Sequence, residues 1–249
     1  MSALIEIADV SKVFTIRHNR SESLKSSFVG IFHKRFRETK ETLWALKNVS
    51  FSVARGETLG LIGRNGSGKS TLLRIVAGIY EPTSGKVEVP KGARVGTMIE
   101  LGVGFNFELT GRENVFLSAS MYGLKRKEIE AIYPAVVEFS ELNGFMDVPV
   151  KNYSSGMQAR LGFALAINLD PEVLLVDEIL AVGDEAFQRK CIERMKQFRA
   201  EGRTIIFVSH DAETIRSFCD QACLLDHGSL LFVGNPGKAI EEYHKLLAS

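Results

Sequence analysis

The sequence has no long hydrophobic run, because no stretch approaches the 18 or more consecutive apolar residues that mark a membrane-spanning helix. The first residues, Met1 to Glu6, do not place a basic stretch before an apolar core, so we expect no secretory signal. The chain has only three cysteines, Cys191, Cys219 and Cys223, without neighbouring metal ligands. This pattern favours free buried thiols in a reducing cytoplasm over a disulfide framework or a zinc site.

An excess of charge of one sign is also missing. The 31 Lys and Arg residues nearly balance the 30 Asp and Glu residues, and the formal net charge is +1. Because nucleic-acid binding depends on a basic excess, we expect no nucleic-acid partner. With 249 residues, 45% of them hydrophobic, the chain has the size and composition of one globular domain with subdomains.

Short apolar strands alternate with helical patterns along most of the chain. A helix is predicted over 70–77, and a longer helical block opens at Thr110 with capping-box spacing and reaches about Asn168. Predicted strands cover 4–14, 44–53, 58–62, 173–176 and 204–208. This alternation predicts an α/β fold with a mostly parallel sheet and helices on its faces.

A glycine-rich loop follows the strand at 58–62 and matches G-x-x-x-x-G-K-[ST]. Its residues are Gly63, Arg64, Asn65, Gly66, Ser67, Gly68, Lys69, Ser70 and Thr71. Glycines let backbone N–H groups converge on a polyphosphate without Cβ clashes, and the following helix adds the positive end of its dipole. Lys69 would supply a cation for the β- and γ-phosphates, and Ser70 a hydroxyl for Mg²⁺.

Polar side chains also follow two later strands. Asp177 and Glu178 end one apolar run, and His210 follows the next. Ligands gather at the carboxyl ends of parallel strands, so we expect these groups beside the loop. Asp177 would face Mg²⁺, Glu178 could polarise an attacking water, and His210 could donate to the γ-phosphate. Without the neighbouring loop, the two acidic residues could equally be solvent-exposed residues that end a strand. A histidine without such neighbours is more often structural.

A fourth element lies just ahead of a helix and resembles the LSGGQ signature of ABC-type ATPases. It consists of Tyr153, Ser154, Ser155, Gly156 and Met157. With the three elements above, which resemble the Walker A, Walker B and H-loop motifs of that family, the resemblance covers residues 4 to about 235. It implies a P-loop NTPase core of α/β class, with an antiparallel β subdomain and an inserted α-helical subdomain.

The resemblance also implies a mechanism. In this family two chains form a homodimer, and the signature of one chain caps the γ-phosphate of the ATP, with its Mg²⁺, that the other chain holds. Asp184 occupies the position of the family's D-loop, after the catalytic glutamate. The glutamine that the family carries after the strand near 98 is missing, and Glu100 is expected to take its role near Mg²⁺.

The aromatic residue that stacks on adenine has two candidates. Phe14 holds the family's usual place, and Trp44 is the alternative. Either would provide a π-face, and either could instead be a core residue. The signature departs from the family at three positions, where Tyr153, Ser155 and Met157 replace leucine, glycine and glutamine.

Three further sequence segments indicate which kind of transporter the chain resembles: residues 100–105, 108–114 and 180–184. They are similar to the ATPase subunits of bacterial surface-polysaccharide exporters, the Wzt-type proteins for O antigen and their teichoic-acid and capsule relatives. This resemblance implies a lipid-linked glycan as cargo and a Wzm-like dimer of transmembrane permease subunits as partner. It also implies a peripheral location on the cytoplasmic face of the bacterial inner membrane.

We expect a single nucleotide-binding domain over residues 1–249. Residues 1–100 and 161–235 would form the catalytic core with the β subdomain, 101–160 the helical subdomain, and 236–249 a C-terminal helix.

Residues 17–40 form a basic insertion with seven Lys or Arg residues and two Glu residues. Leu24, Phe28, Phe32 and Phe36 recur every four residues, which would put an apolar stripe on a basic helix. We expect this segment to lie against anionic lipid headgroups or the membrane subunit. The alternative is a loop that packs its phenylalanines onto the domain and leaves the charges in solvent.

Three competing functions remain at this point. The first is an ABC ATPase that moves another cargo, such as a lipid, a drug or a small solute. The second is a soluble ABC ATPase that acts on ribosomes or DNA, although such proteins usually carry two cassettes or a long coiled coil. The third is a regulatory module without turnover, which the presence of Asp177, Glu178 and His210 disfavours.

Overall fold

The computed structural model describes residues 3–18, 39–90, 92–98, 104–177 and 183–248. In chain order the strands are β1 (Ala3–His18), β2 (Thr39–Ala54), β3 (Thr58–Ile62), β4 (Ser84–Glu88), β5 (Val95–Met98), β6 (Val173–Asp177), β7 (Thr204–Val208), β8 (Gln221–Asp226) and β9 (Ser229–Gly234). The helices are α1 (Lys69–Val76), α2 (Gly111–Met121), α3 (Arg126–Ser140), α4 (Ser155–Asn168), α5 (Glu185–Ala200), α6 (Ala212–Phe218) and α7 (Pro236–Ala248).

The larger sheet has the order β5–β6–β7–β3–β8–β9. The first five strands are parallel and β9 is antiparallel to β8. All five residues of β3 and of β7 are buried, as expected for parallel strands covered on both faces. The register aligns Asp177 and Leu61 with Val208 of β7, so the carboxyl ends of β6, β7 and β3 lie side by side.

The smaller sheet is antiparallel, with the order β2–β1–β4. Its two long strands reach further than predicted, because β1 and β2 remain paired out to His18 and Thr39. The basic insertion joins these two strand ends. Its helix prediction falls on residues 19–38, which lie outside the described residues.

The helical block predicted from Thr110 to about Asn168 consists of three α-helices and a 3₁₀ turn at Val150–Asn152. The chain leaves the helical conformation at Gly123, with a φ of 84°, and at Glu141, with a φ of 61°. A left-handed residue ends a right-handed helix, so the block is broken at both places. The capping box at Thr110 is confirmed, since its hydroxyl accepts the N–H of Glu113 at 3.2 Å.

Three groups of buried side chains hold the described residues together. One fills the space between the two sheets and α1, and a second lies on the opposite face of the larger sheet. The third belongs to the helical block. Helix α4 joins the last two groups, because Phe163 and Ala166 pack toward the larger sheet while Leu161 and Leu165 pack inside the block.

These features confirm the predicted α/β class with an antiparallel β part and an inserted helical part. The exact domain boundaries drawn from the sequence stay a prediction. In the described part of the chain, no helix combines the length and the apolar character needed to cross a membrane.

Candidate active site

The glycine-rich loop connects β3 to α1, and its shape depends on glycine at two tightly packed positions. Gly63 has a φ of 149° and Gly68 a φ of 107°. A Cβ atom on Gly63 would lie 2.0 Å from the carbonyl oxygen of Leu225, and one on Gly68 would lie 2.5 Å from that of Ala45. The loop is therefore closely packed against β8 and β2, and these contacts exclude larger side chains.

A turn after β8 fixes the middle of the loop. The Gly228 N–H donates to the Ser67 carbonyl at 3.0 Å, and the Lys47 N–H donates to the Gly228 carbonyl at 2.8 Å. The Ser67 N–H in turn donates to the Arg64 carbonyl at 3.1 Å. These bonds connect the loop to both sheets, so its backbone N–H groups are pre-arranged.

Helix α1 presents its N-terminus at the end of this loop. The Leu72 N–H donates to the Gly68 carbonyl at 2.9 Å, as the first bond of the helix. The N–H groups of Lys69, Ser70 and Thr71 precede that bond and therefore have no acceptor within the helix. Together with the helix dipole they favour an anion at this position.

The ammonium group of Lys69 lies across the loop. It donates to the Gly63 carbonyl at 2.7 Å and to the Arg64 carbonyl at 2.9 Å. Burial lowers the pKa of Lys69, and the nearby carboxylate of Asp177 opposes that effect. A partly desolvated cation beside free backbone N–H groups is suited to binding phosphate oxygens.

A cavity of about 390 Å³ opens over these groups. It is lined by Phe14, Leu43, Trp44, Ala45, Asn65, Gly66, Ser67, Gly68, Lys69, Ser70, Thr71, Asp177 and Val208. The Ser67 hydroxyl is buried and has no hydrogen-bond partner among the described residues. Loop N–H groups, this hydroxyl and the Lys69 ammonium fit a polyphosphate. The hydroxyl of Ser70 and the carboxylate of Asp177 are the oxygen ligands that Mg²⁺ prefers.

Beside Lys69, the structure places two further predicted site residues at this edge of the sheet, the expected metal ligand Asp177 and the expected catalytic residue His210. Asp177 ends β6 and lines the cavity. His210 follows β7 by two residues and is exposed. The next residue, Asp211, caps α6 and accepts the N–H groups of Glu213 and Thr214, which fixes the chain just after His210. Glu178 and Glu100 lie outside the described residues.

Both aromatic candidates for adenine stacking line the cavity, but their surroundings differ. Phe14 meets Tyr80 edge-on, with ring centroids 5.6 Å apart, and the Lys12 ammonium lies 5.2 Å from the Phe14 centroid. Trp44 is 50% exposed. A larger part of the Trp44 ring than of the Phe14 ring, which is only partly exposed, is therefore open to a ligand.

The signature segment begins α4, where the Ser154 hydroxyl accepts the Met157 N–H at 3.2 Å. The side chain of Tyr153 is buried in the helical block, and its hydroxyl donates to the Phe145 carbonyl at 2.7 Å. Burial raises the pKa of Tyr153 to about 12. A Cβ on Gly111 would lie 2.2 Å from this hydroxyl, so the glycine leaves room for a tyrosine where the family has leucine.

Arg160 is a residue to which sequence reasoning gave no role. Its guanidinium pairs with Asp184 at 2.6 Å and with Glu141 at 2.8 Å, and lies 4.7 Å from the centroid of Phe187. Asp184 caps α5 by accepting the Phe187 N–H at 2.9 Å. This N–H and the Arg160 guanidinium lower the pKa of Asp184, against a smaller opposing effect of burial. Arg160 thus ties the signature helix to the end of α3 and the start of α5.

Known proteins share both sequence and fold with this chain. It is 43% identical to the O-antigen export system ATP-binding protein RfbB of Klebsiella pneumoniae, and the alignment covers 100% of both chains. It is 37% identical to the teichoic acids export ATP-binding protein TagH of Listeria monocytogenes, over 98% of this chain and 70% of that one. It is 47% identical to the ABC transporter protein AbcA of Aeromonas salmonicida, and spans 65% of that protein's length.

The fold is that of a solved dimeric ATP-binding cassette in a post-hydrolysis state, bound to ADP and Pi. The two share a TM-score of 0.73 with 22% sequence identity, over 93% of this chain and 98% of that one. The family model for the ABC transporter matches residues 46–181, which include the phosphate loop, the signature and the end of β6. The chain belongs to the ABC transporter family, as an ATP-hydrolysing subunit.

Proposed function

We propose that two copies of this chain bind two ATP molecules between them and power the export of a lipid-linked surface polysaccharide. The proposal of a dimer rests on one observation: the two groups of residues expected to bind one ATP lie in separate parts of the chain. The cavity contains the phosphate loop, Asp177 and the aromatic candidates, but none of residues 153–157. The N-terminus of α4, with Ser154 and Ser155 exposed, is a second anion-binding end that a partner's site would use.

The polysaccharide cargo rests on relatives and on local sequence. RfbB and TagH are named for O-antigen and teichoic-acid export, and this chain aligns with all of RfbB. The phrases at 100–105 and 108–114, which resemble the Wzt-type subunits, fall in the region where we place contact with a transmembrane permease dimer. This partner would hold the chain at the cytoplasmic face of the bacterial inner membrane, with the basic insertion near anionic headgroups.

Catalysis would depend on positioning the reacting groups and on electrostatic stabilisation of the charge on the γ-phosphate. Lys69 and the loop N–H groups hold the β- and γ-phosphates, and Ser70 and Asp177 would hold Mg²⁺, which neutralises phosphate charge when bound. Glu178 orients and polarises the attacking water, and His210 donates to the γ-phosphate. Ser154, Ser155, Gly156 and Met157 would cap the partner's γ-phosphate, with Tyr153 holding the segment in place from inside the helical block.

Adenine would stack on Trp44. This proposal rests on the open indole face, whereas Tyr80 and Lys12 already occupy much of the surroundings of Phe14. Trp44 is the single tryptophan of the chain, so nucleotide binding should change its fluorescence directly.

The Glu178→Gln variant tests the catalytic assignment. We expect it to bind ATP, to hydrolyse ATP very slowly, and to accumulate as an ATP-bound dimer in size-exclusion chromatography with light scattering. The matched control is Glu172→Gln. Glu172 immediately precedes β6, at the end of the strand opposite to Asp177, and it pairs with Arg55. Near wild-type turnover in Glu178→Gln, or a monomer that hydrolyses ATP at full rate, would contradict the proposal.

A further inference from the structure

The side chain of Arg64 does not join the phosphate loop's cavity but reaches the opposite end of the chain. Its Nη2 donates to the carbonyl of Leu246 at 2.7 Å, across 182 residues of sequence. Leu246 belongs to the last turn of α7. A cation at the last turn of a helix complements the negative end of the helix dipole, and its N–H groups bond the carbonyls of that turn. Arg64 therefore caps the C-terminal helix.

The backbone of the same residue is a contact point of the phosphate loop. The Arg64 carbonyl accepts from the Lys69 ammonium at 2.9 Å and from the Ser67 N–H at 3.1 Å. Phosphate oxygens compete with carbonyls for a lysine ammonium, because an anion forms the stronger hydrogen bond. A nucleotide therefore acts on the Arg64 backbone through Lys69, and phosphate oxygens bound to the loop's N–H groups would hold that backbone in place.

Helix α7 is not a loose tail. Pro236, Ala239 and Ile240 are buried, and the helix packs on α6, β3, β8 and β9. Helix α6 begins two residues after His210. The C-terminal helix thus touches β3, which leads into the phosphate loop, and α6, which follows His210, and Arg64 connects it to the loop itself.

We propose that Arg64 is a positioning residue that couples nucleotide binding to the C-terminal helix α7, by holding the phosphate loop and the last turn of α7 to each other. The coupling rests on the proposed contact between Lys69 and the phosphates. It is reciprocal: nucleotide binding stabilises the end of α7, and loss of the Arg64 side chain weakens nucleotide binding. A structural change at the end of α7 is thereby linked to nucleotide occupancy.

The test combines calorimetric titration of the full chain with ADP and MgCl₂ and hydrogen–deuterium exchange of peptides covering 241–248. In the wild type, ADP should slow exchange in these peptides. Arg64→Met should speed their exchange, abolish the ADP effect and raise the Kd for ADP about fivefold. Arg64→Lys should restore part of both effects, because an ammonium can still donate to a carbonyl.

The matched control is Arg94→Met. Arg94 also donates to a backbone carbonyl, that of Asp170 at 3.1 Å, in the loop that leads into β6. We expect neither the ADP affinity nor the α7 exchange to change in this control. If Arg64→Met binds ADP with wild-type affinity, or if ADP leaves α7 exchange unchanged in the wild type, Arg64 is only a local helix cap and the proposal is overturned. A wild-type chain that does not bind ADP would refute the proposed function instead.

Discussion

Alanine substitutions at two glycines of the phosphate loop separate its conformational strain from its packing. Gly66 has a φ of 78° and Gly68 a φ of 107°, so an alanine at either position is forced into a backbone region that Cβ disfavours. A Cβ on Gly66 would meet no protein atom within 4 Å, whereas one on Gly68 would meet the Ala45 carbonyl at 2.5 Å and Leu46 at 2.8 Å.

The expected magnitudes follow from these contacts. The left-handed conformation costs an alanine about 1–2 kcal/mol at either position. Gly68→Ala adds a clash with rigid backbone, and overpacking of this kind typically costs a further ~1–3 kcal/mol. The free energy of unfolding should therefore fall by about 1–2 kcal/mol in Gly66→Ala and by about 2–5 kcal/mol in Gly68→Ala.

Urea unfolding followed by circular dichroism measures both values, and Trp44 fluorescence reports ATP binding in the same samples. Gly68→Ala should lose ATP binding, because relieving the clash moves the loop away from β2. Gly66→Ala should retain most of its stability and lose affinity only through the added methyl group in the cavity. If the two variants are equally stable, packing against β2 is not what requires glycine at position 68.

Three further predictions concern other groups. Trp44→Ala should raise the Kd for ATP about 5- to 150-fold, since stacking on a base contributes about 1–3 kcal/mol, while Phe14→Ala should mainly lower the urea midpoint; equal nucleotide affinities in the two variants would contradict the assignment of Trp44. Tyr153→Phe should cost about 1 kcal/mol of stability through the lost hydrogen bond. It should also reduce the loss of stability between about pH 10 and pH 12, where the unfolded tyrosine gives up a proton that the folded one keeps; an unchanged alkaline profile would refute this. The Thr214 hydroxyl and the helix N–H groups lower the pKa of Asp211, so its contribution is present above the unfolded pKa of about 3.9 and lost as pH falls through the folded pKa. Asp211→Asn keeps the cap, and its stability should fall less on acidification in urea titrations at successive pH values.

Local patterns in the sequence were sufficient to predict the main elements. The phosphate loop and its flanking strand and helix depend on neighbouring residues, and so does the capping box at Thr110. The end of the predicted helical block was also near the observed end of α4 at Asn168. The break after α3 was missed, because Glu141 takes a left-handed conformation without the glycine that usually signals one.

Contacts between distant residues could not be predicted. The pairs Gly111–Tyr153, Arg160–Asp184 and Arg64–Leu246 bring together side chains and backbone from different elements. Periodicity and spacing carry no information on such pairs, because these depend on how the elements pack. The same limit applied to the proposed adenine site, where the choice of Trp44 over Phe14 depends on the surroundings of the two aromatic rings.

The most direct test of the central claim replaces the chain in its native bacterium by the Glu178→Gln variant and then locates the surface polysaccharide by separating outer-surface from cytoplasmic material. The account predicts that lipid-linked glycan accumulates inside the cell while the surface loses it, and that the wild-type chain restores export. A normal amount of glycan on the surface, with the variant as the sole copy, would contradict a role of this ATPase in polysaccharide export.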